Sequence, residues 1–200
     1  MPKDTQVLIL EMGMRGLGEI ELLSKYSNPD ITIITNVGTS HIGRLGSKEN
    51  IAKAKCEICK YQKQNGCFIA HDSDLIKKTV EFNGEKEYFS IKDAEITEKQ
   101  IGKTKFTYKD EDYQLNIEGD YNVENALAVI NTGLYLGMEP EKINDGLKSY
   151  SPIEKRWQVE EIGDYKVIND AYNANPDSMK AALSTVLELY PNFVLKCLFH

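Results

Sequence analysis

Long hydrophobic runs are missing from this sequence. No stretch approaches the roughly 20 apolar residues that a membrane-spanning helix needs, and the N-terminal Met-Pro-Lys-Asp-Thr lacks the apolar core of a signal peptide. A cytoplasmic protein with no membrane partner is expected. Surplus positive charge is missing as well: 24 lysines and arginines face 31 aspartates and glutamates, a net charge of −7. With no basic stripe interleaved with aromatics, a nucleic-acid partner is not expected, although anionic ligands can still be held by local amides and metal ions. Cysteine is sparse, with four in the chain. Cys56 and Cys59 are spaced as Cys-x-x-Cys, but Cys67 and Cys197 stand alone, which does not give a zinc ribbon and leaves reduced, structural thiols as the expectation.

What is present suits a soluble globular fold. The 200 residues are 41% hydrophobic and 28% charged, enough for one full domain and part of another. The chain is organised around residues 35–58. An apolar run, Ile31 to Ile34, stops there and a Gly-rich loop carries His41, one of only three histidines. An amphipathic helix from about Ser47 to Gln64 follows, with Ser47 as candidate N-cap. At 100° per residue Ile51, Ile58 and Cys59 share one face with Lys55 between them, while Lys53, Glu57 and Lys60 fall opposite as solvated charges. An inward lysine either snorkels to the rim or loses its charge and becomes available for chemistry. Glu11, at the end of another apolar run, and His41 favour the second reading, because α/β folds place their sites at strand ends.

The order of elements predicts an α/β fold with a mostly parallel sheet. Val7 to Leu10, Ile31 to Val37 and Cys67 to Ala70 read as buried parallel strands. The segment Met12 to Gly18 leads into a helix ending near Asn28-Pro29, and Ser73 to Phe82 reads as a helix. Glu87 to Ile91, Thr104 to Tyr108 and Tyr113 to Ile117 alternate and predict a small antiparallel section. Asp120 opens a helix whose first turn carries Asn122 and Asn125; capping or ligand binding would each explain that pair. Another helix starts at Pro140 and runs to about Tyr150. A hairpin about Gly163-Asp164 leads to the polar loop Asn169 to Ser178, which serves equally as a turn or a nucleotide site, and then to a helix, Met179 to Leu189. Phe193 to His200 carries no readable signal.

Taken together, Glu11-Met-Gly, Thr35-Asn-Val-Gly with His41, Ala54-Lys-Cys-Glu-Ile, Asn122-x-x-Asn125, Lys155-Arg156 and Asp170-Ala-Tyr-Asn-Ala-Asn-Pro-Asp-Ser-Met resemble the Mur ligases over about residues 5 to 190. The Tyr-Asn-Ala-Asn-Pro-Asp-Ser-Met element is similar to the branch that joins D-alanyl-D-alanine to UDP-N-acetylmuramoyl-tripeptide in peptidoglycan synthesis. The resemblance implies an ATP-dependent amide ligase working through an acyl phosphate, with ATP and Mg2+ as cofactors, small-molecule substrates and a monomeric state. It also implies Glu11, His41 and Lys55 as metal ligands and catalytic residues, Lys55 as a carbamate, Asn122 and Asn125 at adenine, Arg156 at phosphate and Asp170 at ribose. Residues 1–153 then correspond to the central ATP-binding domain and 154–200 to the start of a C-terminal domain. Departures accompany the match: the family's Gly-rich phosphate loop ending in Gly-Lys-Thr, expected upstream of Glu11, is not here, Tyr121 replaces a common histidine and His71 a common asparagine. The chain is therefore expected to be truncated at both ends and inactive alone. Other ligases of the superfamily, of the folylpolyglutamate or cyanophycin synthetase type, and a non-catalytic remnant are the alternatives.

Overall fold

The structure is a computed structural model that describes residues 2–153 and 155–190. Two compact units make up the chain, Met1–Glu87 and Tyr88–His200; the expected boundary after residue 153 falls inside the second.

In the first unit, α1 (Glu19–Ser27) precedes β1 (Ile31–Ile34), a short α2 (Ile42–Leu45), α3 (Lys48–Cys56), β2 (Cys67–His71) and α4 (Asp74–Thr79). Strand β1 pairs parallel with β2, Ile31 opposite Cys67 through Ile34 opposite Ala70, so α3 is the crossover that a parallel pair requires. Apolar side chains on both faces bury β2 from Cys67 to Ala70. Behind Thr32, a buried polar chain is fully bonded: its hydroxyl donates to Gln62 Oε1 (2.7 Å), and Gln62 Nε2 donates to the Cys67 carbonyl (2.8 Å). Cys56, Cys59 and Cys67 are free and buried. Burial pushes the Cys56 thiol up to about 12 and those of Cys59 and Cys67 up to about 11, which makes them packing groups rather than nucleophiles.

Two readings of this unit are corrected. Val7 to Leu10 is not a strand: it has no regular pairing, and its side chains are exposed, Ile9 to 89%. A buried parallel strand needs a paired neighbour and covered faces, and this run has no paired strand among the described residues. The helix predicted from Ser47 to Gln64 ends at Cys56, after which Glu57–Cys59 tightens into a 3-10 turn. Ile58 and Cys59 still turn inward and Lys60 outward, as projected, and Glu57 alone departs from the projection by being buried.

The strand β3 (Glu85–Phe89) completes the order β1-β2-β3. It was expected in the antiparallel section, whose first strand is instead β4 (Glu95–Gln100), a charged segment without an apolar signature. Here β4 pairs antiparallel with β5 (Lys103–Tyr108), and β5 with β6 (Glu111–Leu115). Phe106, Tyr113 and Leu115 from these strands are buried, as are Val123, Leu127 and Ile130 of α5 (Asp120–Tyr135). A further helix, α6 (Pro140–Ser149), buries Ile143 and Leu147. Buried Glu118 secures the start of α5: its carboxylate accepts from Gly102 N–H (2.7 Å) and from Tyr190 O–H (2.9 Å). The predicted hairpin is β7 (Gln158–Ile162) with β8 (Tyr165–Asn169), turning at Gly163 with φ 60°. Finally α7 (Pro176–Leu189) starts three residues before the predicted position, because Asn175 caps it through Ser178 N–H (2.9 Å) and Pro176 occupies its first turn. Phe193 to His200, and Cys197 with them, lie outside the described residues.

Candidate active site

The first unit holds a cleft of about 220 Å³ at the C-terminal end of β1. Met12, Gly13 and Met14 of the Gly-rich segment form one wall, Ile34 and Thr35 the strand end, and Ser40, His41 and Lys55 the polar rim. The predicted inward lysine is thus half-buried at a cleft. Its Nζ donates to the Asn36 carbonyl at 2.7 Å and approaches Asn36 Oδ1 at 3.4 Å. Both partners are neutral, so no countercharge offsets its desolvation, and burial holds the Lys55 amine below the ordinary lysine value.

His41 sits at φ 66°, in the left-handed region, where it precedes α2 and has no side-chain capping bond. A non-glycine residue there costs free energy and orients the imidazole at the rim rather than toward the helix backbone. Glu11 is exposed and stands one residue before the Met12 wall, outside the cleft lining. The structure therefore brings His41 and Lys55 onto one cleft and places Glu11 at its approach. Among the described residues no three His, Cys, Asp or Glu side chains are grouped so that they could hold a metal ion by themselves, and a charged ammonium at Lys55 would repel one. Beneath the cleft, Met14, Ile20, Leu45, Ile51 and Ala54 form a buried cluster that joins the Gly-rich segment, α1, α2 and α3.

Glu57 is the residue whose sequence reading fails here. Instead of a solvated charge it is a buried carboxylate, 9% exposed. Gly18 N–H donates to both its oxygens, at 2.8 and 2.9 Å, and Glu21 N–H to one at 3.3 Å. These bonds to the start of α1 are tertiary, and helical periodicity contains no signal for them.

In the second unit the four remaining predicted residues fall on three neighbouring segments. On the first turn of α5, Asn122 Nδ2 donates to the Glu118 carbonyl at 2.6 Å, while Asn125 is exposed. Asp170, following β8, accepts from Trp157 N–H at 3.2 Å, and Tyr172 N–H donates to the Lys155 carbonyl at 3.0 Å. The loops around residues 155–157 and 170–172 are thereby laced together, with Lys155 and Trp157 both at positive φ. The Arg156 guanidinium lies 4.4 Å from the Tyr172 ring centre, and Tyr121 meets Trp157 edge-on at 6.2 Å between centres. Burial, reinforced by the nearby Asp170 carboxylate, raises the Tyr121 hydroxyl above its ordinary range. The structure thus ties Asp170 to the loop that carries Arg156, while Asn122 bonds within the start of its own helix. Tyr121 and Trp157 are the aromatics that sequence reasoning left without a role. Trp157 Nε1 is buried with no hydrogen-bond partner among the described residues.

Comparison with known proteins shows the family of the chain. The Mur ligase middle domain family matches residues 1–133. A UDP-N-acetylmuramoyl-tripeptide–D-alanyl-D-alanine ligase of Bacillus subtilis (strain 168) is 38% identical over 193 residues, covering 92% of this chain and 42% of the relative. Among solved structures, MurF from Acinetobacter baumannii superposes with a TM-score of 0.78 at 28% identity, over 90% of this chain and 42% of that one. A MurF ligase from Thermotoga maritima in complex with ADP shares the fold, with a TM-score of 0.73 at 22% identity over 86% of this chain and 42% of that one. The chain spans about two fifths of the length of these relatives. A family match across two thirds of the sequence, with Glu11, His41 and Lys55 inside it, means that the chain belongs to the Mur ligase family.

Proposed function

We propose that this chain is the metal- and nucleotide-handling portion of an ATP-dependent amide ligase that joins D-alanyl-D-alanine to UDP-N-acetylmuramoyl-tripeptide in peptidoglycan synthesis. The observation that carries the reading is Lys55: a half-buried amine on a cleft wall, bonded among the described residues to the neutral acceptors of Asn36 and held below its ordinary value. The neutral amine can add carbon dioxide: nitrogen's lone pair forms the N–C bond, the nitrogen gives up its proton to solvent, and an anionic carbamate remains. Glu11, His41 and carbamylated Lys55 would then hold Mg2+. When bound, the ion supplies charge neutralisation for the phosphoryl and acyl oxygens of an acyl-phosphate reaction.

The nucleotide falls to the second unit. Arg156 offers a fixed cation for phosphate, its orientation set by the Tyr172 ring; Asp170, anchored by Trp157 N–H, offers a carboxylate to ribose hydroxyls. Asn122 and Asn125 offer amides to adenine. Gly102-Lys103-Thr104 lies at the turn between β4 and β5 and lacks the preceding glycine of a Gly-x-x-x-x-Gly-Lys-Ser/Thr phosphate loop, so nucleotide and metal binding rather than turnover is the informative readout. Titration with Mn2+ in bicarbonate buffer should show one or more sites that Lys55→Ala and His41→Ala each weaken at least tenfold. ADP binding should be weakened by Asp170→Ala but not by Lys55→Ala. Mn2+ binding indifferent to both cleft variants would overturn the metal assignment.

A further inference from the structure

We propose that Glu57 is a positioning residue that couples the Gly-rich wall of the cleft to the segment carrying Lys55. The relevance of that coupling to a cation rests on the metal reading above; the coupling itself rests on geometry. Lys55 and Glu57 lie two residues apart, across the junction where α3 becomes a 3-10 turn. Lys55 is directed at Asn36 on the cleft, and Glu57 at the start of α1. The Gly18 N–H bridges both carboxylate oxygens and Glu21 N–H adds a third bond. These are amides at a helix N-terminus, where unpaired donors and the helix dipole both favour an anion.

Gly18 has φ 84°, a conformation that leaves its N–H aimed away from the helix and open to this acceptor. The residues that end at Gly18 begin at Met12, the cleft wall. One buried carboxylate therefore sets where that wall stands relative to the Lys55 amine, and with it where Glu11, at the head of the same segment, can reach.

Other ties join the same elements, the Lys60–Glu21 ion pair (2.6 Å) among them, and those of Ser24 supply an internal control. The Ser24 hydroxyl donates to the Ile58 carbonyl at 2.7 Å, and Tyr61 N–H donates to Ser24 Oγ at 3.3 Å. Removing Ser24 Oγ loosens the packing of α1 on the turn without touching the Gly-rich segment. If Glu57 only stabilised the fold, Glu57→Ala and Ser24→Ala would act alike.

The test compares the unaltered chain with Glu57→Gln, Glu57→Ala and Ser24→Ala, by amide hydrogen exchange and by Mn2+ titration in bicarbonate. In Glu57→Ala, exchange over Gly13–Gly18 should rise at least tenfold with β2 amides unchanged, and Mn2+ affinity should fall at least tenfold. Glu57→Gln, which keeps one accepting oxygen and the side-chain volume, should lie between; Ser24→Ala should leave both readouts within about twofold. Unchanged exchange in both Glu57 variants would overturn the proposal. So would faster exchange with undiminished Mn2+ binding, or equal effects from Ser24→Ala. Should the unaltered chain bind no Mn2+, the metal reading fails on its own account and the exchange comparison decides the coupling.

Discussion

Replacing Ile51 by alanine tests whether the cluster beneath the cleft holds its walls together. Ile51 is 1% exposed and packs with Met14, Ile20, Leu45 and Ala54, drawn from four segments of the first unit. The substitution deletes three carbons, worth about 0.8 kcal/mol each in transfer free energy, or about 2.4 kcal/mol. A cavity term adds on the order of 1 kcal/mol where surrounding helices cannot collapse, for a loss of about 3.5 kcal/mol. Ile51→Val, one carbon smaller, should lose about 1 kcal/mol. Against the ~5–15 kcal/mol typical of a folded domain, the alanine variant should remain folded but with a much lower urea midpoint. Amide signals of the first unit report the transition, and unchanged m-values would confirm that stability alone has moved. A loss below about 1 kcal/mol for Ile51→Ala would refute the claim that this cluster is one packed core.

Gly66→Ala should be at least as damaging, by about 3 kcal/mol or more, since an added Cβ would fall 1.8 Å from the Asp30 carbonyl oxygen, within backbone that cannot turn aside; near-wild-type thermal stability would contradict it. Ile9→Lys should change stability by less than about 0.5 kcal/mol and raise the concentration at which the chain stays unassociated, since Ile9 is 89% exposed within an apolar run. A large destabilisation there would mean that the run is packed. The lowered Lys55 value fixes the sign of a pH effect. Between that value and the ordinary 10.5 the unfolded chain keeps a proton that the folded chain releases, so the Lys55 contribution to stability grows as pH rises through that window and is constant below it. The stability difference between the unaltered chain and Lys55→Met should therefore shift in favour of lysine as pH rises, and a flat or opposite trend would contradict the desolvation argument.

Where local rules decide the structure, the sequence could be read directly. Asn28 after α1, Ser47 before α3 and Gly163 in the hairpin end or turn their elements as their side chains predict. Cys67 to Ala70, apolar throughout, becomes a strand buried on both faces. Lys55 was legible as an inward lysine because α3 keeps its period up to Cys56. Glu57 was not, since its burial comes with bonds to Gly18 and Glu21, far away in the sequence. Val7 to Leu10 has the composition of a buried strand, yet burial depends on partners that composition does not specify. β4 escaped notice because Glu95, Glu98 and Lys99 mask an alternation that is carried only by cross-strand pairing with β5. In the second unit, the grouping of Arg156 with Asp170 depends on a backbone bond from Trp157, which no spacing of residues announces.

The most direct measurement is carbon-13 NMR of the chain in labelled bicarbonate, run beside Lys55→Ala. The account predicts one protein-bound carbamate signal that strengthens as pH rises toward the lowered Lys55 value and is lost in Lys55→Ala. No carbamate signal in the unaltered chain, or a signal that survives in Lys55→Ala, would contradict the claim that Lys55 is kept neutral to become an anionic ligand.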